Sequence, residues 1–267
     1  MDCSGAGSAY RACGLMHRAK IALPVAAVLS LVCASCTNGP PVSGTSAAPA
    51  VIAVDVGHSR EHPGAISARG VPEFEFNSSL AKGVAQSLQG ERQKIVLIGG
   101  DGDINQLENR TAQAGVAGAG FFLSIHHDSV KPEYLKPWMW NGAEQHYADR
   151  MFSGFGLFVS RKNPRLLKSL KCASAIGFML EEAGFRHSTY HADRVLGEGR
   201  EWADRQNGVY YYDDLVVLKT AKQPAVLLEA GVIVNRDEEA GLASREVQEK
   251  MAKAIRAGLQ SCGVVAP

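Results

Sequence analysis

Six short apolar runs rich in β-branched residues, separated by stretches with a helical apolar period, constrain this chain more than any other feature. They are VIAVD (51–55), KIVLI (94–98), GFFLSIH (120–126), GFGLFV (154–159), LVVL (215–218) and AVLLEA (225–230). Between the first two, Phe76, Leu80, Val84 and Leu88 recur every four residues and form one apolar stripe on a helix. A second helix is expected from Asn163-Pro164, an N-cap followed by proline at the first helical position, through LLKSLKCASAIGFMLEEAG. A third, from about Ser244 to Ser261, carries Val247, Met251, Ala254, Ile255 and Leu259 on one face. Short strands alternating with helices predict a single α/β domain whose central sheet is mostly parallel or mixed, with helices on both faces.

The chain has 267 residues and is 46% hydrophobic, enough to build one sizeable core. Lys plus Arg number 28 against 27 Asp plus Glu, so the basic field that nucleic-acid binding requires is missing, and no nucleic-acid partner is expected. Residues 1–36 read as an export signal. Within them MHRAKIALPVAAVLSLVCASC (16–36) has a positive start, an apolar stretch from Ile21 to Val32 and a small-residue exit, with Met16 a better first residue than Met1. The apolar stretch is short for a membrane-spanning helix, so removal is expected rather than retention. Cys33-Ala34-Ser35-Cys36 resembles a bacterial lipobox with Cys33 where Leu is usual, leaving a membrane anchor through Cys36 and plain cleavage nearby as the two outcomes. Either way the protein is expected in the periplasm or cell envelope.

Residues 37–50, TNGPPVSGTSAAPA, read as a flexible linker, and one folded domain is expected over 51–263. Within that domain only Cys172 and Cys262 remain, as a disulfide that an oxidising compartment permits or as two buried thiols.

Sites in such folds collect at the carboxyl ends of strands. VIAVD leads into His58, GFFLSI into His126, and AVLL into Glu229. Strand alternation puts Ser124, His126 and Asp128 on one side, Ile125 and His127 on the other. Two histidines and a carboxylate at neighbouring strand ends suit a metal hydrolase, which needs about three ligands and a nearby acid–base group. Three ligand sets are open on the residues alone. His58 pairs with Glu61 as H-x-x-E, or Glu73 in PEFEFN supplies the carboxylate with Glu75 its local competitor, or His187 and His191 pair at i and i+4. The last pair lacks an intervening Glu and follows Gly184, so both are expected as surface histidines.

Three blocks of sequence resemble the zinc-dependent N-acetylmuramoyl-L-alanine amidases of the type 3 amidase family. Asp55 to Asn77, DVGHSREHPGAISARGVPEFEFN, is similar to the family's D-x-G-H-G-G, P-G-A, G and E-x-x-x-N. Ser124-Ile125-His126-His127-Asp128 is similar to S-x-H-A-[DN], and PAVLLEAGVIVN (224–235) to P-A-V-L-x-E-x-G-F-x-x-N. Smaller echoes are Leu107 to Arg110, like L-x-x-R, and EEAGLASREVQEKMAKAIRAGL (238–259), so that the resemblance covers roughly 51–261.

The resemblance implies one Zn2+ ion held by His58, Glu73 and His126, with Glu229 as the catalytic glutamate. It implies peptidoglycan as substrate, cut at the amide between N-acetylmuramic acid and L-alanine. Asp128 is then expected behind the ligands or capping a loop.

Two departures stand out: Ser59-Arg60 replaces the paired glycines, and residues 131–153 are long and aromatic. Trp138 and Trp140 there are expected to flank the metal rim, as a lid or sugar platform, or to staple the loop to the surface. A zinc carboxypeptidase acting on stem peptides is the alternative enzyme; it needs a positioned arginine, for which Arg69, Arg110 and Arg194 are available. A non-catalytic wall-binding or regulatory protein is the alternative outside catalysis. No wall-binding module is apparent, so targeting is expected to depend on export, on an anchor at Cys36, or on an activator protein outside this chain.

Overall fold

The computed structural model describes residues 50–90 and 93–266; the export signal, Cys36 and nearly all of the expected linker lie outside the described residues. Four parallel strands form the half of the sheet that carries the strand-end histidines: β1 (Ala50–Val56), β2 (Gln93–Ile98), β3 (Phe121–Asp128) and β9 (Ala225–Val232). The other half is β6 (Gly156–Val159), β7 (Trp202–Asp204) and β8 (Val209–Tyr211), giving the order β2-β1-β3-β9-β6-β8-β7. The two halves meet where β6 runs antiparallel to β9, so the sheet is mixed and mostly parallel, as expected.

Alternation along the strands divides the core in two. Ile52, Val54, Phe121, Leu123, Val226 and Leu228 pack against α1 (Glu73–Leu88), α3 (Leu166–Glu182) and α6 (Arg245–Ser261). Ala53, Phe122, Ala225 and Leu227 face the other way, against α2 (Leu107–Val116) and α4 (Val216–Thr220). Both faces of the sheet are therefore covered, which is why its inner strands read as unbroken apolar runs. The stripe expected on α1 is buried at all four positions.

Three local expectations are corrected. LVVL (215–218) is not a strand: it enters α4, where Val217 and Leu218 are both buried. Asn163 Nδ2 donates to the carbonyls of Leu218, Ala221 and Gln223, ending that helix after little more than a turn. A four-residue apolar run has no period that separates the two states. The α3 helix starts at Leu166, with Arg165 in the cap position; Asn163 caps the preceding turn by accepting from Arg165 N at 2.8 Å. Residues 131–153 contain a two-stranded hairpin, β4 (Lys136–Trp140) with β5 (Ala143–Tyr147), turning at Asn141-Gly142 with positive φ at both. The remaining helix, α5 (Arg236–Leu242), is capped by the Asn235 side chain.

Cys172 on α3 and Cys262 just past α6 form a disulfide, their Cα atoms 5.1 Å apart, which decides between the two thiol readings. The bridge closes a loop with a sequence separation of 90. In the chain-entropy model a loop of that length stabilises by about 4–5 kcal/mol. Replacing both cysteines by alanine is expected to lower the unfolding free energy by an amount of that order, measured by denaturant titration; a loss under about 1 kcal/mol contradicts the account.

Candidate metal centre

His58 follows the end of β1 in a left-handed conformation, φ 67°, the turn that aims its ring back across the strand ends. A buried guanidinium holds that turn. Arg110 on α2, 2% exposed, pairs with Asp55 at 2.9 Å and donates to the carbonyls of Val56, His58 and Ile104. Ser59 needs no left-handed backbone, and its buried hydroxyl donates to Asn105 Oδ1 at 2.6 Å and accepts from His62 N at 3.0 Å. The departure from paired glycines is thus absorbed by side-chain hydrogen bonding.

Glu73 is the first residue of α1, where the helix dipole favours a carboxylate. Its Oε1 is 3.1 Å from His126 Nδ1, 3.0 Å from Asn77 Nδ2 and 3.3 Å from His127 N. Its Oε2 is 3.0 Å from His58 Nε2 and accepts from Ala65 N at 3.1 Å. One ligand atom from each of His58, Glu73 and His126 lies within 4.8 Å of the others. Glu61 and Glu75 are exposed and lie outside this group.

Two nitrogens and a carboxylate oxygen are a donor set that zinc accepts. The backbone around them is cut to fit. A Cβ on Gly57 would sit 2.4 Å from the His126 ring, and one on Gly64, at φ 79°, would sit 2.4 Å from Glu73 Oε2. The residues fit a single divalent metal. Burial alone pushes the Glu73 carboxyl up, but hydrogen bonds and charge from His126 and His58 together outweigh it and hold it far below the usual range.

His58 and His126 line a cavity of about 370 Å3 whose wall also includes Glu229, Asp128, His191, Glu198 and Arg200, with Glu73 buried behind them. Glu229 stands opposite His126 in the β3–β9 register. Its Oε2 is buried without a hydrogen-bond partner. Burial first, then the neighbouring charges of Asp128 and Glu73, raise its pKa well above the ordinary carboxylate range.

His127 points to the other face, as alternation requires, and its Nδ1 is 2.8 Å from Asn77 Oδ1. Burial holds its pKa down at about 3, so the ring is neutral.

The expected surface position of His191 is overturned. His191 is 3% exposed, with Nε2 2.9 Å from Asp128 Oδ2 and Nδ1 3.0 Å from Glu198 Oε2. Burial lowers its pKa, but the two carboxylates more than reverse that and raise it to about 9. Asp128, besides accepting from Ser129 N at 2.7 Å, takes the Tyr190 hydroxyl. His187 is partly buried on Glu181, away from the cavity. Nothing periodic in HSTYHADRVLGEGR announces this network; it exists because residues 190–200 fold back over the end of β3.

Of the two readings of Trp138 and Trp140, the structure favours the staple over the lid or platform, since neither lines the cavity. They stack on each other at 5.2 Å, Trp138 Nε1 donates to Ala68 O at 2.8 Å, and Arg69 and Arg236 lie over the rings. The hairpin is stapled to the loop before α1.

A family model described as N-acetylmuramoyl-L-alanine amidase matches residues 52–261. The N-acetylmuramoyl-L-alanine amidase LytC of Bacillus subtilis is 25% identical across 79% of this chain and 35% of its own length. The probable N-acetylmuramoyl-L-alanine amidase AmiB of Haemophilus influenzae is 27% identical across 80% of this chain and 52% of its own. The chain thus spans about a third to a half of these two relatives. Among solved structures, the N-acetylmuramyl-L-alanine amidase Ami1 of Mycobacterium smegmatis shares the fold with a TM-score of 0.62 at 20% identity, covering 80% of this chain and 97% of that one.

Because the folded-state pKa of His191 is raised from 6.5 to about 9, the stability its charge contributes is complete below pH 6.5 and is lost as pH rises toward 9. Replacing His191 by Gln is expected to depress the melting temperature most at or below pH 6.5, with the wild-type advantage shrinking steadily up to pH 9. A difference that stays constant across that range contradicts a charged imidazole.

Proposed function

This chain belongs to the N-acetylmuramoyl-L-alanine amidase family, and from that premise we propose that it is a zinc-dependent hydrolase of peptidoglycan, cutting the amide between N-acetylmuramic acid and L-alanine. The observation that carries the reading is the convergence of His58, Glu73 and His126 on one point beside a cavity whose wall holds Glu229. In this reading His58, Glu73 and His126 hold one zinc ion. When bound, the metal polarises the scissile carbonyl, acidifies water and, as a dication, offsets the carboxylate repulsion that raises Glu229.

Glu229 is the acid–base group. Its carboxylate takes the proton of the attacking water and passes it to the leaving amine of L-alanine. A carboxyl raised by burial and by Asp128 holds that proton between the two steps better than an exposed one does. Glu73 is suited to the opposite task, staying ionised between two histidines. Asn77 Nδ2 orients it while also donating to Gly57 O at 3.2 Å, so a single side chain ties Glu73 to the turn that carries His58.

None of the three arginines offered for the carboxypeptidase alternative is free in the cavity; that reading now rests on Arg200, which lines the wall. Arg69 is paired with Glu239, Arg194 is exposed outside the cavity, and Arg110 spends its donors on Asp55 and backbone carbonyls. A wall substrate also agrees with the export-signal reading of residues 1–36.

Purified protein incubated with peptidoglycan is expected to release, with zinc and not with chelator, intact stem peptides bearing a free L-alanine amine, identified by mass spectrometry. Shortened stems still attached to glycan would instead establish the carboxypeptidase. Glu229→Ala is expected to retain zinc and lose on the order of 10²-fold or more in turnover, whereas Glu73→Ala is expected to lose zinc; full zinc content in the latter variant overturns the ligand assignment.

A further inference from the structure

Arg200 stands in the cavity wall with Glu229, and the chemistry above leaves it without a task. It is 18% exposed, unusually covered for an arginine beside a cavity. The face of its guanidinium lies 3.4 Å from the ring centroid of Tyr212, with Phe158 at 5.8 Å, which fixes the plane of the group and leaves its N–H edge open. Nε is 3.4 Å from Glu198 Oε2, and that same oxygen lies 3.0 Å from His191 Nδ1. One carboxylate is thus shared by two cations. Among the described residues, the two terminal nitrogens of Arg200 have no hydrogen-bond partner.

The backbone beneath is fixed. Arg200 N donates to His191 O at 2.7 Å, so the arginine rides on the His191 segment, which Asp128 ties to the end of β3. The wall that holds Arg200, His58 and His126 also includes Leu215, Val217 and Leu227. A substrate in this cavity shares it with His58, His126 and Glu229, with apolar side chains, and with a planar cation.

A pre-oriented guanidinium edge matches a planar carboxylate, which accepts two parallel N–H bonds. In a muramoyl peptide cut beside L-alanine, free carboxylates lie on the peptide side of the bond. The first of them belongs to a glutamate linked through its γ-carboxyl, whose α-carboxyl is either free or converted to an amide. We propose that Arg200 is the specificity-determining residue that holds this carboxylate, so that the cavity selects stems with a free acid at the second residue over their carboxamide counterparts. The proposal rests on the amidase reading of the site.

The test uses two synthetic N-acetylmuramoyl peptides that differ only in whether that group is a carboxyl or a carboxamide, with the full-length zinc-loaded protein. Wild type is expected to favour the acid by at least about tenfold in kcat/KM, the scale of a hydrogen-bonded charge pair. Arg200→Gln is expected to remove that preference, mainly through KM on the acid, while leaving the amide within about twofold; Arg200→Lys falls between. An acid-to-amide ratio near one in wild type, or one unchanged in Arg200→Gln, overturns the proposal. Should Arg200→Gln fail to fold, the wild-type ratio and Arg200→Lys decide. Should neither peptide be cleaved, the amidase reading falls, and Arg200 is judged by calorimetry with L-alanyl-γ-D-glutamate and its α-amide. Tighter binding of the acid that Arg200→Gln abolishes supports the carboxylate site, and equal binding overturns it.

Discussion

The buried pair of Arg110 and Asp55 is the constraint on which the rest of this structure hangs. A charge taken out of water is costly unless its partner and most of its donors are engaged, and of the Arg110 guanidinium nitrogens only Nε is left without a partner. Here Asp55 accepts from Arg110 at 2.9 Å and from Ser124 at 2.6 Å, which joins the ends of β1 and β3. The guanidinium in turn collects the carbonyls of Val56, His58 and Ile104, the groups a strand leaves unpaired when it breaks into a turn. The left-handed conformation of His58 is maintained by that collection. The geometry of the candidate ligands at one end of the cavity is thereby set by a buried ion pair in its wall.

Charge is sorted across the site. Glu73 is held far below the usual carboxylate range and Glu229 far above it, so two acids a strand apart are suited to opposite duties. Two histidines are sorted the same way: His127, enclosed by α1, stays neutral, while His191 between two carboxylates is charged. Burial alone would push both histidines in one direction. The difference lies in what faces them, an amide oxygen from Asn77 in one case and Asp128 with Glu198 in the other.

Much of this was legible in the sequence, for identifiable reasons. Strands β1, β3 and β9 are buried on both faces, so they stand out as apolar runs, and His58, His126 and Glu229 follow from where those runs end. The alternation that separates His126 and Asp128 from His127 is a property of any strand. Choosing Glu73 over Glu61 and Glu75 was not legible from spacing, because it depends on which residue begins α1; only the resemblance to a known family singled it out. Strands β7 and β8 have three residues each and no readable period. The hairpin carried a signal in Asn141-Gly142 between alternating residues. The His191, Glu198 and Arg200 wall carried none, since its partner Asp128 is more than sixty residues earlier in the chain.

The placement of β9 has a consequence in time. It is the last strand to be made, yet it lies between β3 and β6, so the sheet exists as two unjoined halves until residues 225–232 arrive. Those eight residues also carry Glu229. A chain completed only through α4 contains His58, Glu73 and His126 and yet has no joined sheet and no Glu229. Completion of the sheet and arrival of Glu229 in the cavity wall are therefore the same event.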